Sequence, residues 1–126
     1  MWTWIVGYLV MDAVYVLMSK SYYMKHTSKV SGAAPKNLIK IATCALGAYL
    51  LMALGWSIIV AKNVQKGKIM NALNLGATYG LVLYGVFNCT TGAMFDKWGY
   101  DVMLRDTVWG TSSIAVYTAL YAAMKK

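Results

Sequence analysis

The sequence predicts an all-α fold, a polytopic transmembrane four-helix bundle that takes residues 1–126 as one membrane domain. Three observations predict it. Residues 41–61 form a run of 21 without a single charge, and at about 1.5 Å of rise per residue such a helix spans roughly 30 Å, the hydrocarbon thickness of a bilayer. Two more uncharged runs follow, at 69–95 and 107–124. The composition agrees: 60% of the 126 residues are hydrophobic, only 13% are charged, and the mean hydropathy is +0.52, a charge fraction well below that of soluble domains. The runs are continuous rather than alternating, which excludes a transmembrane barrel; a helical bundle satisfies its backbone groups internally, as lipid requires.

The first helix is expected over residues 2–18. Asp12 sits near its middle and costs about 2.5–3.5 kcal/mol on insertion scales, while each Leu, Ile or Val returns about 0.3–0.6. Its aliphatic residues supply roughly 3 kcal/mol on that scale, so the helix inserts stably only when Asp12 faces partners within the bundle. Residues 2–11 lack a basic leader and read as an uncleaved membrane segment rather than a signal peptide. Residues 19–40 are the longest polar stretch and are expected as the first loop, with five lysines, His26 and Pro35. There Tyr22, Tyr23 and Met24 suit the headgroup level, and residues 31–35 read as a break before the next helix.

The second helix is expected over 41–61, followed by a short basic loop at 62–68. The third runs over 69–91, with a turn region at 92–101, and the fourth over 102–124. Four crossings put both termini on one face. That near face also carries Lys62, Lys66, Lys68, Lys125 and Lys126; the far face carries Lys20, Lys25, Lys29, Lys36, Lys40, Lys97 and Arg105. Five basic residues against seven is too even for the positive-inside rule to orient the chain.

The formal net charge is +8 and the four acids are Asp12, Asp96, Asp101 and Asp106. No basic stripe lies on a soluble module, so nucleic acid is not an expected partner. The expected partners are the lipid bilayer, its anionic headgroups, each near-surface lysine contributing about 1 kcal/mol of attraction, and other membrane or shell proteins. Self-association through the helices is a further option.

Small residues recur at helix-contact spacing. Gly76 and Gly80 form a GxxxG, and Thr111, Ala115, Ala119 and Ala123 repeat every four residues. Such stripes let helix backbones approach where the hydrophobic effect cannot drive association, here more readily within the chain than between chains. Asp12 is a candidate functional residue, because intramembrane ionisable residues tend to mark a pathway or pocket. Antiparallel packing brings Asn88, Thr91, Asp106 and Trp109 toward it, and these five define a candidate polar pocket. The competing reading makes Asp12 a hydrogen-bonded knot of the bundle and Asp106 a first-turn acid favoured by the helix dipole.

Asn71 and Asn74 are expected to bond across helices. Cys44 and Cys89 are expected to be buried free thiols. With a single His there is no ligand set for a metal. The Asn88-Cys89-Thr90 acceptor pattern reads as a chance match at a helix end. No nucleophile–base pair, phosphate loop or cofactor box is present, so neither enzymatic activity nor a cofactor is expected.

Residues 79–85 (YGLVLYG), then Phe87-Asn88-Cys89-Thr90-Thr91, Trp98 and Asp106-Thr107-Val108-Trp109-Gly110-Thr111 resemble the signature of a small four-helix membrane family, domain of unknown function 2177. The pattern there is a Gly-rich helix ending in Tyr-Asp-x-Thr-Asn, a turn with Trp, and a helix opening Asp-x-x-Trp-Gly-Thr. The family's intramembrane Asp corresponds to Asp12, and residues 49–55 (YLLMALG) resemble its second helix. Where the family has Asp in the third helix, this chain has Asn88. The resemblance implies a fold and topology, in bacterial and large-DNA-virus members, and no activity. Two functions are therefore expected from the residues. One is a non-enzymatic structural component of a membrane assembly, for instance the internal membrane of a virus particle beneath its shell, presenting basic loops to partners. The alternative is a small-solute or proton-coupled carrier using Asp12 and Asp106.

Overall fold

A computed structural model describes residues 2–31 and 37–125. Met1, most of the expected break (Gly32, Ala33, Ala34 and Pro35), Lys36 and Lys126 lie outside the described residues. The elements are all helical: α1 (Trp2–Met18), α2 (Lys20–Ser31), α3 (Leu38–Gly55), α4 (Ile69–Met94) and α5 (Tyr100–Met124). No strand occurs among the described residues. α3 continues without interruption through a π turn (Trp56–Val60) and a 3-10 turn (Ala61–Asn63).

The four expected helices are present; α1 has the expected bounds, and the other three are extended by two or three residues at one end or both. Asn37 explains the early start of α3: its side chain accepts the Lys40 backbone N–H at 3.0 Å, satisfying a donor that the first turn leaves open. By length and composition α3 with its extension and α4 can each cross a membrane, and α1 with α2 qualifies as one span broken by a 69° bend. α5 is a 25-residue helix, roughly 37 Å long, but too polar to qualify on composition. Its polar positions are turned inward: Ser113 and Thr118 are buried with Ile114, Tyr117 and Tyr121.

One expectation is corrected outright. The polar stretch after Met18 is not loop but helix α2. His26 is buried within it rather than held in a loop. Its lysines Lys20, Lys25 and Lys29 point outward, while Tyr22, Tyr23 and His26 lie on the side that meets α5.

Helix order follows from the contacts. Tyr8 meets Trp56, and Trp4 meets Tyr117 and Tyr121. Lys125 donates to the Val64 carbonyl at 2.9 Å and the Gly67 N–H to that of Ala122 at 3.0 Å. The start of α1, the end of α5 and the loop after α3 therefore share one end of the bundle. Gly67 takes φ +72° there, a conformation open to a residue without Cβ.

The tightest packing is between α4 and α5, antiparallel along their length. A Cβ added at Gly76 would sit 2.6 Å from the Ile114 carbonyl and 2.8 Å from the Ala115 Cα, and one at Gly80 would overlap the Gly110 carbonyl. The GxxxG thus closes an interface within the chain, against Ala115 and Gly110. Ala119, of the same stripe, is half-buried and outside these glycine contacts. At the near end an aromatic core of Trp4, Tyr8, Trp56, Tyr117 and Tyr121 has ring centroids 5.3–6.2 Å apart. Its polar tips are satisfied: Trp56 Nε1 donates to Thr118 Oγ1 at 3.0 Å and the Tyr117 hydroxyl donates to the Trp4 carbonyl.

The outward surface is apolar on every helix but α2, with Val6, Val10 and Leu17 on α1, Leu51 and Leu54 on α3, Val82 and Val86 on α4, and Leu104 and Val116 on α5 all exposed. So much exposed aliphatic surface is the signature of a lipid environment, and the protein is an integral membrane protein.

Candidate functional site

The helices do not close fully on one another. Ala53, Trp56 and Val60 are buried, but every described side chain from Leu38 to Leu46 is exposed. The first half of α3 thus has little to pack on. Further along, where α3 contributes Ala48, Tyr49 and Met52, lies a partly open cavity of about 510 Å³, with walls from all five helices.

Asp12 and Asp106 both line this cavity, as does Trp109. Asp12 is 5% exposed. Its Oδ1 accepts the Tyr84 hydroxyl and Trp109 Nε1, each at 3.3 Å, and Tyr49 lines the same cavity. Asp106 Oδ1 accepts the Tyr23 hydroxyl at 3.1 Å and its Oδ2 accepts Asn88 Nδ2 at 2.7 Å. Every donor in these bonds is a neutral group. Tyr15 ties the two carboxyl clusters together: its hydroxyl shares a hydrogen bond of 2.9 Å with that of Tyr23, and its ring stacks on Trp109 at 3.9 Å between centroids.

Of the five predicted pocket residues, Asp12, Asp106 and Trp109 face the cavity. Asn88 stands behind Asp106, donating also to the Tyr84 carbonyl and accepting Trp98 Nε1 at 3.2 Å. With its amide so engaged, it is not placed as an exposed glycosylation acceptor. Thr91 is not brought to the site; its hydroxyl bonds the Phe87 carbonyl of its own helix at 2.7 Å. The tyrosines are what sequence reasoning missed. Tyr23, Tyr49 and Tyr84 read as interfacial or apolar residues, yet Tyr23 and Tyr84 each present a hydroxyl to a carboxyl and Tyr49 lines the same cavity. The signal available was spacing: Tyr22, Tyr23 and His26 fall within one face of a helix.

α2 is held over the site by its contacts with α5. His26 Nε2 lies 3.2 Å from Asp101 Oδ2, and the Arg105 guanidinium sits 4.0 Å above the Tyr22 ring. The hydrogen bond from His26 holds the exposed Asp101 carboxyl below its ordinary range. Asp101 is also the acid of the first turn of α5. This corrects the expectation for Asp106, which the earlier helix start at Tyr100 carries past the first turn and into the cavity wall.

Other expectations shift as well. Cys44 and Cys89 are free thiols, but both are exposed rather than buried. Asn71 does not bond across helices; its side chain accepts the Gln65 N–H at 3.3 Å and closes the loop before α4. Asn74 is exposed. Among the described residues no group of three His, Cys, Asp or Glu side chains is placed to hold a metal.

A family model described as "Predicted membrane protein (DUF2177)" matches residues 1–124. No curated protein and no solved structure matches the chain. The chain belongs to that family of membrane proteins.

Proposed function

We propose that this member of the family is a carrier for a small solute, which binds between the helices in the cavity lined by Asp12 and Asp106. The cavity carries the reading. Asp12, near the middle of α1, carries a cost of about 2.5–3.5 kcal/mol in a membrane helix, and intramembrane acids that face a cavity typically mark a solute or ion path. A volume of about 510 Å³ suits a small organic solute, within the range of roughly 300–1,000 Å³ of ligand pockets. The role is taken as non-enzymatic, because the carboxyls are engaged by neutral donors that hold them in place. The other reading, a structural component of a membrane assembly such as a virion membrane, rests on basic residues at both ends of the bundle. It gives the cavity no part.

A carrier's site must be reachable from each side of the membrane in turn. Ala48 lines the cavity, roughly 15 Å along α3 from Leu38. In sealed proteoliposomes of an Ala48→Cys protein whose native cysteines are replaced by serine, a membrane-impermeant thiosulfonate is expected to label residue 48 from either side. Labelling from neither side, or from one side alone, contradicts the carrier.

A further inference from the structure

We infer that the solute is an organic cation with an apolar body, bound by the Asp12 and Asp106 carboxyls within the aromatic wall of the cavity. The inference rests on the solute-binding reading above and deepens it. Its first support is the charge inventory. Asp12 is bonded by Tyr84 and Trp109, and Asp106 by Tyr23 and Asn88. None of these carries a positive charge. Among the described residues the one ion pair is His26–Asp101, away from the cavity. A carboxylate in a low-dielectric site is costly unless a cation compensates it. A positively charged occupant supplies that compensation, a neutral one does not, and an anion adds repulsion.

The second support is the rest of the wall. Lys20 is its single basic residue among those described, and it sits exposed at the α1–α2 bend, where a flexible stem lets the ammonium reach water. Tyr15, Tyr49, Tyr84, Phe87 and Trp109 supply aromatic surface, and Met24, Met52 and Leu83 supply aliphatic surface. Aromatic rings attract cations, most strongly when water is excluded. The apolar remainder accepts the hydrocarbon part of the same molecule, as ligand pockets generally do. Small hydrated metal ions are poorly served by such a wall, because they need several oxygen ligands in place of water.

The probe is benzyltrimethylammonium, compared with its neutral carbon isostere neopentylbenzene and with the phenylmethanesulfonate anion. Binding is followed by tryptophan fluorescence with the full chain in nanodiscs of zwitterionic lipid. The cation is expected to saturate, with the isostere and the anion at least tenfold weaker. Asp12→Asn and Asp106→Asn are each expected to weaken the cation at least tenfold, while Lys20→Gln strengthens it several-fold. Asp12→Glu, which keeps the charge, is expected to stay within about threefold of the parent, which separates loss of charge from loss of fold. Equal binding of the isostere, tighter binding of the anion, or unchanged affinity in both Asn variants overturns the inference. If that happens while residue 48 is still labelled from both sides, the carrier stands and only its substrate class falls. If the cation binds as described but labelling is one-sided, the site stands and the carrier falls.

Discussion

Asn88 shows how much one side chain settles. It is 1% exposed, donates to Asp106 and to the Tyr84 carbonyl, and accepts from Trp98. The family pattern has Asp here. Asn88→Asp removes the donor and sets a second carboxylate 2.7 Å from Asp106. It is expected to destabilise the bundle by about 2–3 kcal/mol, through loss of a hydrogen bond to a charged group and like-charge contact. The double exchange Asn88→Asp with Asp106→Asn is expected to recover at least half of that. Unfolding equilibria in mild detergent check both, and a single variant as stable as the parent contradicts the hydrogen-bond account. At this scale the site was half legible from sequence. Asp12 and Asp106 stand out because an ionisable group in an apolar helix has few bland explanations. Tyr84 and Tyr49 do not, because a tyrosine among aliphatic residues packs equally well without using its hydroxyl.

The helices themselves were legible where lipid imposes a continuous apolar run, as in α3 and α4. The boundary shifts came from local capping by Asn37 and from the early start of α5. α2 was hidden because its pattern is mixed: lysines face out and Tyr22, Tyr23 and His26 face α5, so average polarity reads as loop. Two predictions belong to this scale. Gly80→Ala places a methyl against the Gly110 backbone, which cannot yield without moving α5. It is expected to cost about 1–3 kcal/mol, whereas Gly47→Ala, with nothing within 4 Å of the new Cβ, is expected to be neutral or slightly stabilising. Comparable losses at both positions in detergent unfolding contradict the packing described. The anchor of α2 is pH-dependent through Asp101. Its folded pKa is lowered by His26, so its contribution is full above the ordinary carboxylate value near about 3.9 and is lost as the pH falls through the lower folded value. A spin label at Lys29 is expected to gain mobility on that descent in the parent. In Asp101→Asn the mobility is expected to be raised already at neutral pH and to change little; a parent label indifferent to pH contradicts the anchor.

For the whole molecule, exposed aliphatic side chains surround a bundle that encloses aromatic and polar groups. α5 makes the point: too polar to count as a membrane helix by composition, it carries much of the buried core, because Thr118 and Asp106 bond to other helices and Ser113 to its own backbone. The apolar runs announced the surrounding solvent, but no sequence period announced the cavity, which is lined from all five helices, with Ala48, Tyr49 and Met52 of α3 in the same wall as Asp12. The molecule joins these two environments, lipid outside and a water-reachable cavity within. Spin labels on α3 in nanodiscs test both together. At Leu51, on the exposed surface, relaxation by dissolved oxygen is expected to dominate; at Ala48, three residues away in the cavity wall, relaxation by a water-soluble nickel chelate is expected to dominate. A nickel-dominated signal at both positions would remove the lipid, and an oxygen-dominated signal at both would remove the cavity.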